Sequence, residues 1–423
     1  MMRTLISLLI ILGLSSCSSD SEEVMIDNLS DDEIIVEDDG EDVEDDGVVG
    51  AISIETTVND TDFDAVEKEY EISVFTTANG DELQIDINSE SDNISETNLT
   101  QELSLLKSDF YRRELEGDLI SFHTWKSDLT AISSYRKNLN TNEVTIDEDY
   151  CLLPLDKNRA VSLYTGNKDK LVFVHSTFDI PFTFEQYFIT IYDRNSGECS
   201  ELVLDPNPNS PQISLGIQFQ VISNHILALL YVTGNDIKPT VTFVDLNSAE
   251  LISSRIFDRF TYGTFLENIF FAVRIDSGFV FEEYSFDDFG LLSMSSKNNL
   301  PNLTYGLYDN EIVADQVPFA NFFEGPQDYR FQPAIYDLSQ DKVIEGNEPF
   351  LEQLSVDLIS TLGTQPIFPV YKVDVENRNV ILGYDRNDGS NTGGIIFTNF
   401  DSAIYKIVEL NHVPEEMVIR AVN

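Results

Sequence analysis

Short apolar runs recur along most of the chain, and pairs of them flank a polar turn. The clearest pair is Val241 to Ile256, in which two alternating runs lie on either side of a turn that begins at Asp245. Alternation with a period of two on both sides of such a turn predicts a β-hairpin. Similar hairpins recur at separations of 55, 52, 42, 50 and 62 residues, with turns anchored at Asn138, Asp193, Asp245, Asp287, Asp337 and Asn399.

A second series of turns lies between these hairpins. Ser223-Asn224 is an example, and each such turn precedes the next anchor by about 19 to 27 residues. Every unit therefore contains four strands, and about six such units resemble the blades of a β-propeller. The sequence predicts an all-β fold with six four-stranded blades over residues 105–410. Seven blades and a β-sandwich are the alternatives.

The segments on either side of residues 105–410 also contain strand-like runs. Residues 50–100 include the hairpin turn Asn79-Gly80, and we expect a small β-element docked on the propeller. The alternative is that this segment supplies strands to a seventh blade. Residues 411–423 are expected to form a strand that helps to close the propeller. Between the fifth and sixth units, Phe350 to Ile359 has the apolar spacing of one short amphipathic helix.

The N-terminus has the features of an export signal. Arg3 is followed by an apolar run from Thr4 to Leu14, and small residues precede Cys17, so residues 1–16 read as a signal peptide. Leu14-Ser15-Ser16-Cys17 resembles the lipobox of bacterial lipoproteins, which implies a lipid on Cys17 and attachment to the outer membrane. Ser18 and the acidic residues after it favour the cell surface over the periplasmic face.

Residues 17–49 read as a disordered acidic tether. This segment contains 15 carboxylates between Asp20 and Asp46, and no Lys or Arg occurs between Arg3 and Lys68. Like charges at this density repel, and little apolar area is available to offset the ordering entropy. The formal net charge of the whole chain is -50, which disfavours nucleic acid as a partner. We expect a monomer.

The sequence carries no recognisable catalytic motif. It has four histidines and lacks G-x-S-x-G and H-E-x-x-H patterns, so no cofactor or metal is expected. A calcium-loop pattern from Asp60 to Glu71 has Ala65 where the loop requires Gly. The aspartate anchors are interpreted as residues that accept backbone N–H groups in turns. These features favour a non-catalytic, surface-anchored binding or assembly module. The alternative is a propeller-type glycan hydrolase or lyase.

The strands predicted to line the propeller channel carry several of the chain's scarce cations. In an acidic protein, such cations would attract a carboxylated or sulfated glycan, and matched tyrosines in two units would add flat apolar faces. The alternative is that the cations only pair with neighbouring carboxylates. The candidate binding residues are Arg113 (or its neighbour Arg112), Arg159, Tyr262, Tyr305 and Lys372.

Cys151 and Cys199 are the two cysteines that remain once Cys17 is lipidated. Disulfides are common outside the cytoplasm, but these two residues lie in different parts of the first two units. The sequence leaves their pairing open and favours two buried free thiols.

Overall fold

The computed structural model describes residues 53–54, 69–91, 93–105, 110–116, 118–125, 132–151, 158–166, 169–179, 183–204, 213–222, 225–233, 238–257, 261–266, 268–275, 279–286, 292–295 and 312–421. Nearly all regular structure in these ranges is β. The N-terminal elements are strands β1 (Ser53–Ile54), β2 (Tyr70–Ala78), β3 (Asp81–Asn88) and β4 (Asn93–Asn98), followed by the short helix α1 (Leu99–Glu102).

The next sixteen strands form four antiparallel sheets, each built from four consecutive strands. Sheet 1 contains β5 (Phe110–Glu116), β6 (Leu119–Trp125), β7 (Ile132–Asn138) and β8 (Val144–Tyr150). Sheet 2 contains β9 (Asn158–Gly166), β10 (Lys170–Asp179), β11 (Thr183–Asp193) and β12 (Glu198–Leu204). Sheet 3 contains β13 (Ile213–Ile222), β14 (Ile226–Thr233), β15 (Lys238–Asp245) and β16 (Glu250–Ile256). Sheet 4 contains β17 (Thr261–Leu266), β18 (Ile269–Ile275), β19 (Phe279–Phe286) and β20 (Leu292–Ser295).

Two further sheets are connected along the chain by a helical linker. Sheet 5 has three strands in the described ranges, which are β21 (Gln316–Phe322), β22 (Phe331–Asp337) and β23 (Lys342–Glu345). A 3₁₀ turn, Gln327–Tyr329, lies between β21 and β22. The linker carries α2 (Leu351–Asp357) and α3 (Ile359–Leu362), so the predicted helix is present as two short ones. Sheet 6 contains β24 (Ile367–Asp374), β25 (Asn379–Asp385), β26 (Gly393–Asn399) and β27 (Ile404–Leu410), with β1 paired to β27.

Sheet 7 joins the two ends of the described chain. The last strand, β28 (Glu416–Ala421), pairs with β2, and the strand order is β28-β2-β3-β4. β2 to β4 therefore lie in one sheet with the last strand, which fits the alternative in which residues 50–100 supply strands to a further blade. Local periodicity could not reveal this pairing, because the strands come from distant parts of the sequence: Phe75 lies opposite Glu416 in the register. Within the sheet, Asn79 and Gly80 both have positive φ, as a two-residue hairpin turn requires.

Consecutive sheets pack face to face, and the shared apolar clusters form a closed cycle. Sheet 7 shares one cluster with sheet 6, through Ile72 and Ile381, and another with sheet 1, through Phe75 and Phe122. Comparable clusters join sheets 2 to 3, 3 to 4, 4 to 5 and 5 to 6. First strands also adjoin one another, with β13 against β9 and β17, and β24 against β28. The fold is a β-propeller, as predicted.

Burial along the strands follows from this packing. Residues 226–230 of β14 are all buried, because a central strand packs against a sheet on each side. Such strands read as continuous apolar runs. The outermost strand β16 is mostly exposed and contains four polar residues among its seven. The periodicity of each predicted hairpin thus reflects one buried strand beside one outer strand.

The contact between sheets 1 and 2 differs from the others because it contains a covalent bond. Cys151, which follows β8, forms a disulfide with Cys199 of β12, and their Cα atoms are 5.6 Å apart. The expectation of two free thiols is wrong in this structure. Sequence separation gave no indication of the pairing, which depends on how the outer strands of two sheets approach each other.

Candidate functional site

The predicted channel residues lie on first strands wherever the structure describes them. Arg113 is in β5, Arg159 in β9, Tyr262 in β17 and Lys372 in β24, and each of these strands is the first of its sheet. Tyr305 lies outside the described residues. In the register, Arg159 lies opposite Thr177 and Lys372 lies opposite Ile381.

Lys372 is the one member of this set whose side chain is described, and it is half-buried. The side chains of Arg113, Arg159 and Tyr262 are outside the described part of the structure. The strand positions therefore agree with the channel hypothesis, and convergence of these side chains on one ligand stays a prediction.

The aspartate and asparagine anchors lie in turns, as predicted, wherever they are described. Asp193 Oδ1 accepts hydrogen bonds from the backbone N–H groups of Asn195 (2.8 Å) and Ser196 (3.1 Å). Asp245, Asn138 and Asn399 accept equivalent bonds in their own turns. Lys170 also bonds Asp193 and, with these N–H groups, holds the pKa of the carboxyl below its usual value. Asp337 behaves similarly, and Asp287 lies outside the described residues.

A buried polar group spans sheets 1 and 2 beside the disulfide. Arg194, in the β11–β12 turn, donates to Asp147 of β8 and to Ser134 Oγ of β7 (3.4 Å). Arg136 Nη2 lies 3.9 Å from the same Asp147 carboxylate. Burial and the nearby Arg136 guanidinium lower the pKa of Arg194 to about 10. Because one carboxylate already serves two guanidinium groups, we interpret this cluster as a tie between sheets.

His175 is fully buried within sheet 2. Its Nε2 atom lies 3.0 Å from Thr190 Oγ1 and 3.6 Å from Glu201 Oε2, and its ring stacks on Phe188. This is the environment of a packed core histidine. In the described ranges, no group of three His, Cys, Asp or Glu side chains is arranged to hold a metal ion. Glu71 of the calcium-like pattern lies in β2, and Asp60 and Ala65 are outside the described residues.

A further surface, which the sequence did not single out as a site, forms where sheet 5 meets the helical linker. We call it the loop–helix face, and it comprises residues 322–331 together with α2 and α3. The loop and the linker emerge at the same end of sheet 5, because β21, β22 and β23 alternate in direction. Asn321 Nδ2 donates to the Gly346 carbonyl (3.1 Å) and fixes the start of the linker at that end.

Phe322 and Phe331 form an exposed aromatic pair on this face. They lie opposite each other in the β21–β22 register, and their ring centroids are 5.4 Å apart. Their exposed fractions are 49% and 40%. Phe323 N–H donates to the Arg330 carbonyl (2.8 Å), and Arg330 Nε donates to the Gly325 carbonyl (2.8 Å). These bonds close the loop behind the aromatic pair.

Buried hydrogen bonds fix the loop to the helices. Gln332 Oε1 accepts from the N–H groups of Phe350 (2.6 Å) and Leu351 (3.0 Å), which satisfies donors at the start of α2. Gln332 Nε2 donates to the Tyr329 carbonyl (3.0 Å). Tyr329 is buried, and its hydroxyl donates to the Pro366 carbonyl (2.9 Å). The loop and linker therefore form one supported surface.

The two helices are amphipathic. One side of them packs into the core between sheets 5 and 6 through Leu351, Leu354, Leu358 and Leu362. On the other side, Val356 and Ile359 are exposed by 45% and 41%. None of the helices in the described ranges has the length and hydropathy that a membrane crossing requires.

Exposed carboxylates lie in the same loop and helical segment as the apolar residues of the loop–helix face, and we call them its acidic rim. Arg330 is the one cation between residues 322 and 331, and residues 347–363 contain none. The carboxylates are all exposed, and they are Glu324, Asp328, Glu348, Glu352 and Asp357. The site is therefore an apolar patch with a negative rim.

Comparisons with known proteins find solved structures of low similarity. No protein-family model and no curated protein matches the chain. Among solved structures, it is similar to the β-propeller domain of the Trilobed protease from Pyrococcus furiosus, with 12% identity, 69% of this chain and 81% of that chain covered, and a TM-score of 0.39.

Two other solved structures are similar to a comparable degree. Dipeptidyl peptidase 4 from Porphyromonas gingivalis has 10% identity, with 80% of this chain and 50% of that chain covered and a TM-score of 0.43. Apo AztD from Citrobacter koseri has 10% identity, with 84% and 98% covered and a TM-score of 0.41. The chain spans about half the length of the Pyrococcus horikoshii acylaminoacyl peptidase that it also resembles.

Proposed function

We propose that this chain is a non-catalytic binding module held at the cell surface by a lipid on Cys17. The observation that carries the proposal is the loop–helix face, on which four large apolar side chains are exposed and the buried side chains of Gln332 and Tyr329 hold the loop and the helices together by hydrogen bonds. Exposed apolar residues grouped in this way mark interaction surfaces in soluble proteins. A support that is ordered before binding also lowers the entropic cost of association.

The sequence supports the anchoring part of the proposal. Leu14 to Cys17 has the order of a lipobox, and the acidic residues after Ser18 provide a spacer before the first described strand. Labelling growing cells with an alkyne-bearing fatty acid tests this directly. Wild-type protein should acquire the label, and a Cys17→Ser variant should not. Protease treatment of intact cells then separates a surface position, where the protein is degraded, from a periplasmic one.

Two locations are available for a ligand, and they differ in chemistry. The loop–helix face suits an apolar group on a protein. The predicted channel residues Arg113, Arg159, Tyr262, Tyr305 and Lys372 suit an acidic glycan. Binding to the glycan that is lost in an Arg159→Ala/Lys372→Ala variant would identify the channel as the site.

One experiment separates the binding module from an enzyme. The mature chain with Cys17→Ser, which avoids lipidation, is applied to a glycan array and to a panel of peptide, ester and glycoside substrates. We expect no turnover by this chain. Turnover of any one substrate above the level of a heat-treated sample would overturn the non-catalytic proposal.

A further inference from the structure

The exposed apolar residues of the described chain fall into two groups. Ten large apolar side chains are exposed in the ranges that the structure describes. Six of them lie on outermost strands, where partial exposure is ordinary. These six are Val144, Ile146, Val203, Leu251, Ile256 and Met294. The other four, Phe322, Phe331, Val356 and Ile359, lie on the loop–helix face, whose two parts are held together by the hydrogen bonds of Gln332 and Tyr329.

We propose that the loop–helix face docks a basic protein segment that carries an apolar anchor. This inference rests on the proposed function and names the class of partner. The apolar part of the contact follows from Phe322, Phe331, Val356 and Ile359. Buried aromatic residues at the centre of an interface, surrounded by a polar rim, typically provide most of its binding energy.

The charge of the rim selects the sign of the partner. The loop–helix face has five exposed carboxylates and one cation, Arg330. The Arg330 guanidinium already donates a hydrogen bond to the Gly325 carbonyl. Opposite charges across an interface raise the association rate and exclude partners of the wrong sign. A segment rich in Lys or Arg is therefore attracted, whereas anionic lipid and nucleic acid are repelled.

A second copy of this chain is a poorer occupant for the same reason. Self-association through this face would bring two acidic rims together in a chain whose formal net charge is -50. Like charges placed opposite each other in an interface oppose association. The observations therefore favour a different, basic protein.

The test uses a peptide array and matched variants. The array holds Lys- and Arg-rich peptides that contain one Trp, Phe or Leu, together with counterparts in which that residue is Ser and counterparts in which Lys and Arg are Glu. The best binder is then labelled with fluorescein, and its Kd for the mature Cys17→Ser chain is measured by fluorescence anisotropy at low and high salt.

The expected result is a preference for peptides with both basic and apolar residues, and weaker binding at high salt. The Phe322→Ser/Phe331→Ser variant should lose at least about tenfold in affinity. The control Leu251→Ser/Ile256→Ser removes two exposed apolar side chains from the outermost strand β16 and should bind as the wild type does. Far-ultraviolet circular dichroism and urea midpoints establish that both variants are folded.

Three results would overturn the inference. These are equal affinity of the two double variants, absence of binding by any basic peptide, and a dimer that dissociates on the Phe322→Ser/Phe331→Ser change. The proposed function is judged separately. If the array of basic peptides is silent but a glycan binds without turnover, the binding module stands and this partner class is rejected. If a substrate is turned over, the proposed function itself fails.

Discussion

The disulfide between Cys151 and Cys199 should contribute more to stability than any other single feature that we identify. It joins the outer parts of sheets 1 and 2, and the apolar cluster there is small, with Tyr150, Cys151, Leu171 and Phe173 as its buried members in the described ranges. The cluster between sheets 2 and 3 is more than twice as large. Among the described residues, sheets 1 and 2 thus share fewer clustered buried apolar residues than any other consecutive pair of sheets, and they are the pair with a covalent link.

The sequence separation of the two cysteines sets the expected magnitude. They are 48 residues apart, and closing a loop of that length lowers the entropy of the unfolded chain enough to stabilise the fold by about 4 kcal/mol at 25 °C. The Cys151→Ser/Cys199→Ser variant should lose approximately this amount. The buried ion pairs of Arg194 and Asp147 remain in the variant, so we expect the two sheets to stay in contact.

Urea denaturation provides the measurement. The chain has one tryptophan, Trp125, which lies in β6, so its fluorescence reports on sheet 1. Wild type under oxidising conditions should unfold at higher urea than either the variant or the reduced wild type, and reductant should leave the variant unchanged. Equal midpoints for oxidised wild type and variant would refute the reasoning, as would alkylation of both thiols in the unreduced, unfolded protein.

Three further predictions concern closure and charge. Met417→Ala, in the closing strand, should cost about 2–4 kcal/mol in urea denaturation because Met417 is 1% exposed, whereas Leu251→Ala on an outer strand should cost less than about 0.5 kcal/mol. Asp193→Ala should destabilise the protein by about 1–2 kcal/mol at neutral pH. The pKa of Asp193 in the folded protein is below its ordinary 3.8, so this contribution is present above that value and is lost as the pH falls through the folded pKa; a difference that did not shrink as the pH was lowered below 3.8 would contradict the assignment. Glu345 has a raised pKa, caused first by burial, so its stabilising contribution belongs to the protonated form and is lost as the pH rises. Glu345→Gln should therefore be at least as stable as wild type at pH 7 and indistinguishable from it below the ordinary pKa of 4.5, which urea midpoints at the two pH values would check.

Local features of the fold could be predicted because their causes are local. A turn anchored by Asp193 or Asp245 satisfies its own backbone donors within three residues, so the same residue type recurs at each turn. The amphipathic spacing of Phe350 to Ile359 likewise predicts a helix, and α2 lies within this segment. Each of these signals lies within about a dozen residues of sequence.

Features that depend on distant residues could not be predicted in the same way. The pairing of β2 with β28 links residues near both ends of the described chain, and the sequence pattern of neither strand indicates which strand it pairs with. The pairing of Cys151 with Cys199 depends on the approach of two outer strands. The loop–helix face was not predicted for a similar reason. Phe322 and Val356 are far apart in sequence, and their elements are connected by tertiary contacts such as those of Tyr329 and Gln332.

The two ends of the fold are attached in different ways, and this difference suits a tethered module. β1 contributes two residues, Ser53 and Ile54, to the outer edge of sheet 6, where it covers the edge strand β27. β28 pairs with β2 over six residues, and Met417 and Ile419 join the cluster between sheets 6 and 7. A pull on the proposed N-terminal tether therefore acts first on β1, whose two pairs can separate without breaking any contact between β28 and β2. Once β1 has detached, the pull passes along the chain to β2, so the six-residue pairing of β2 with β28 is then what keeps the propeller closed.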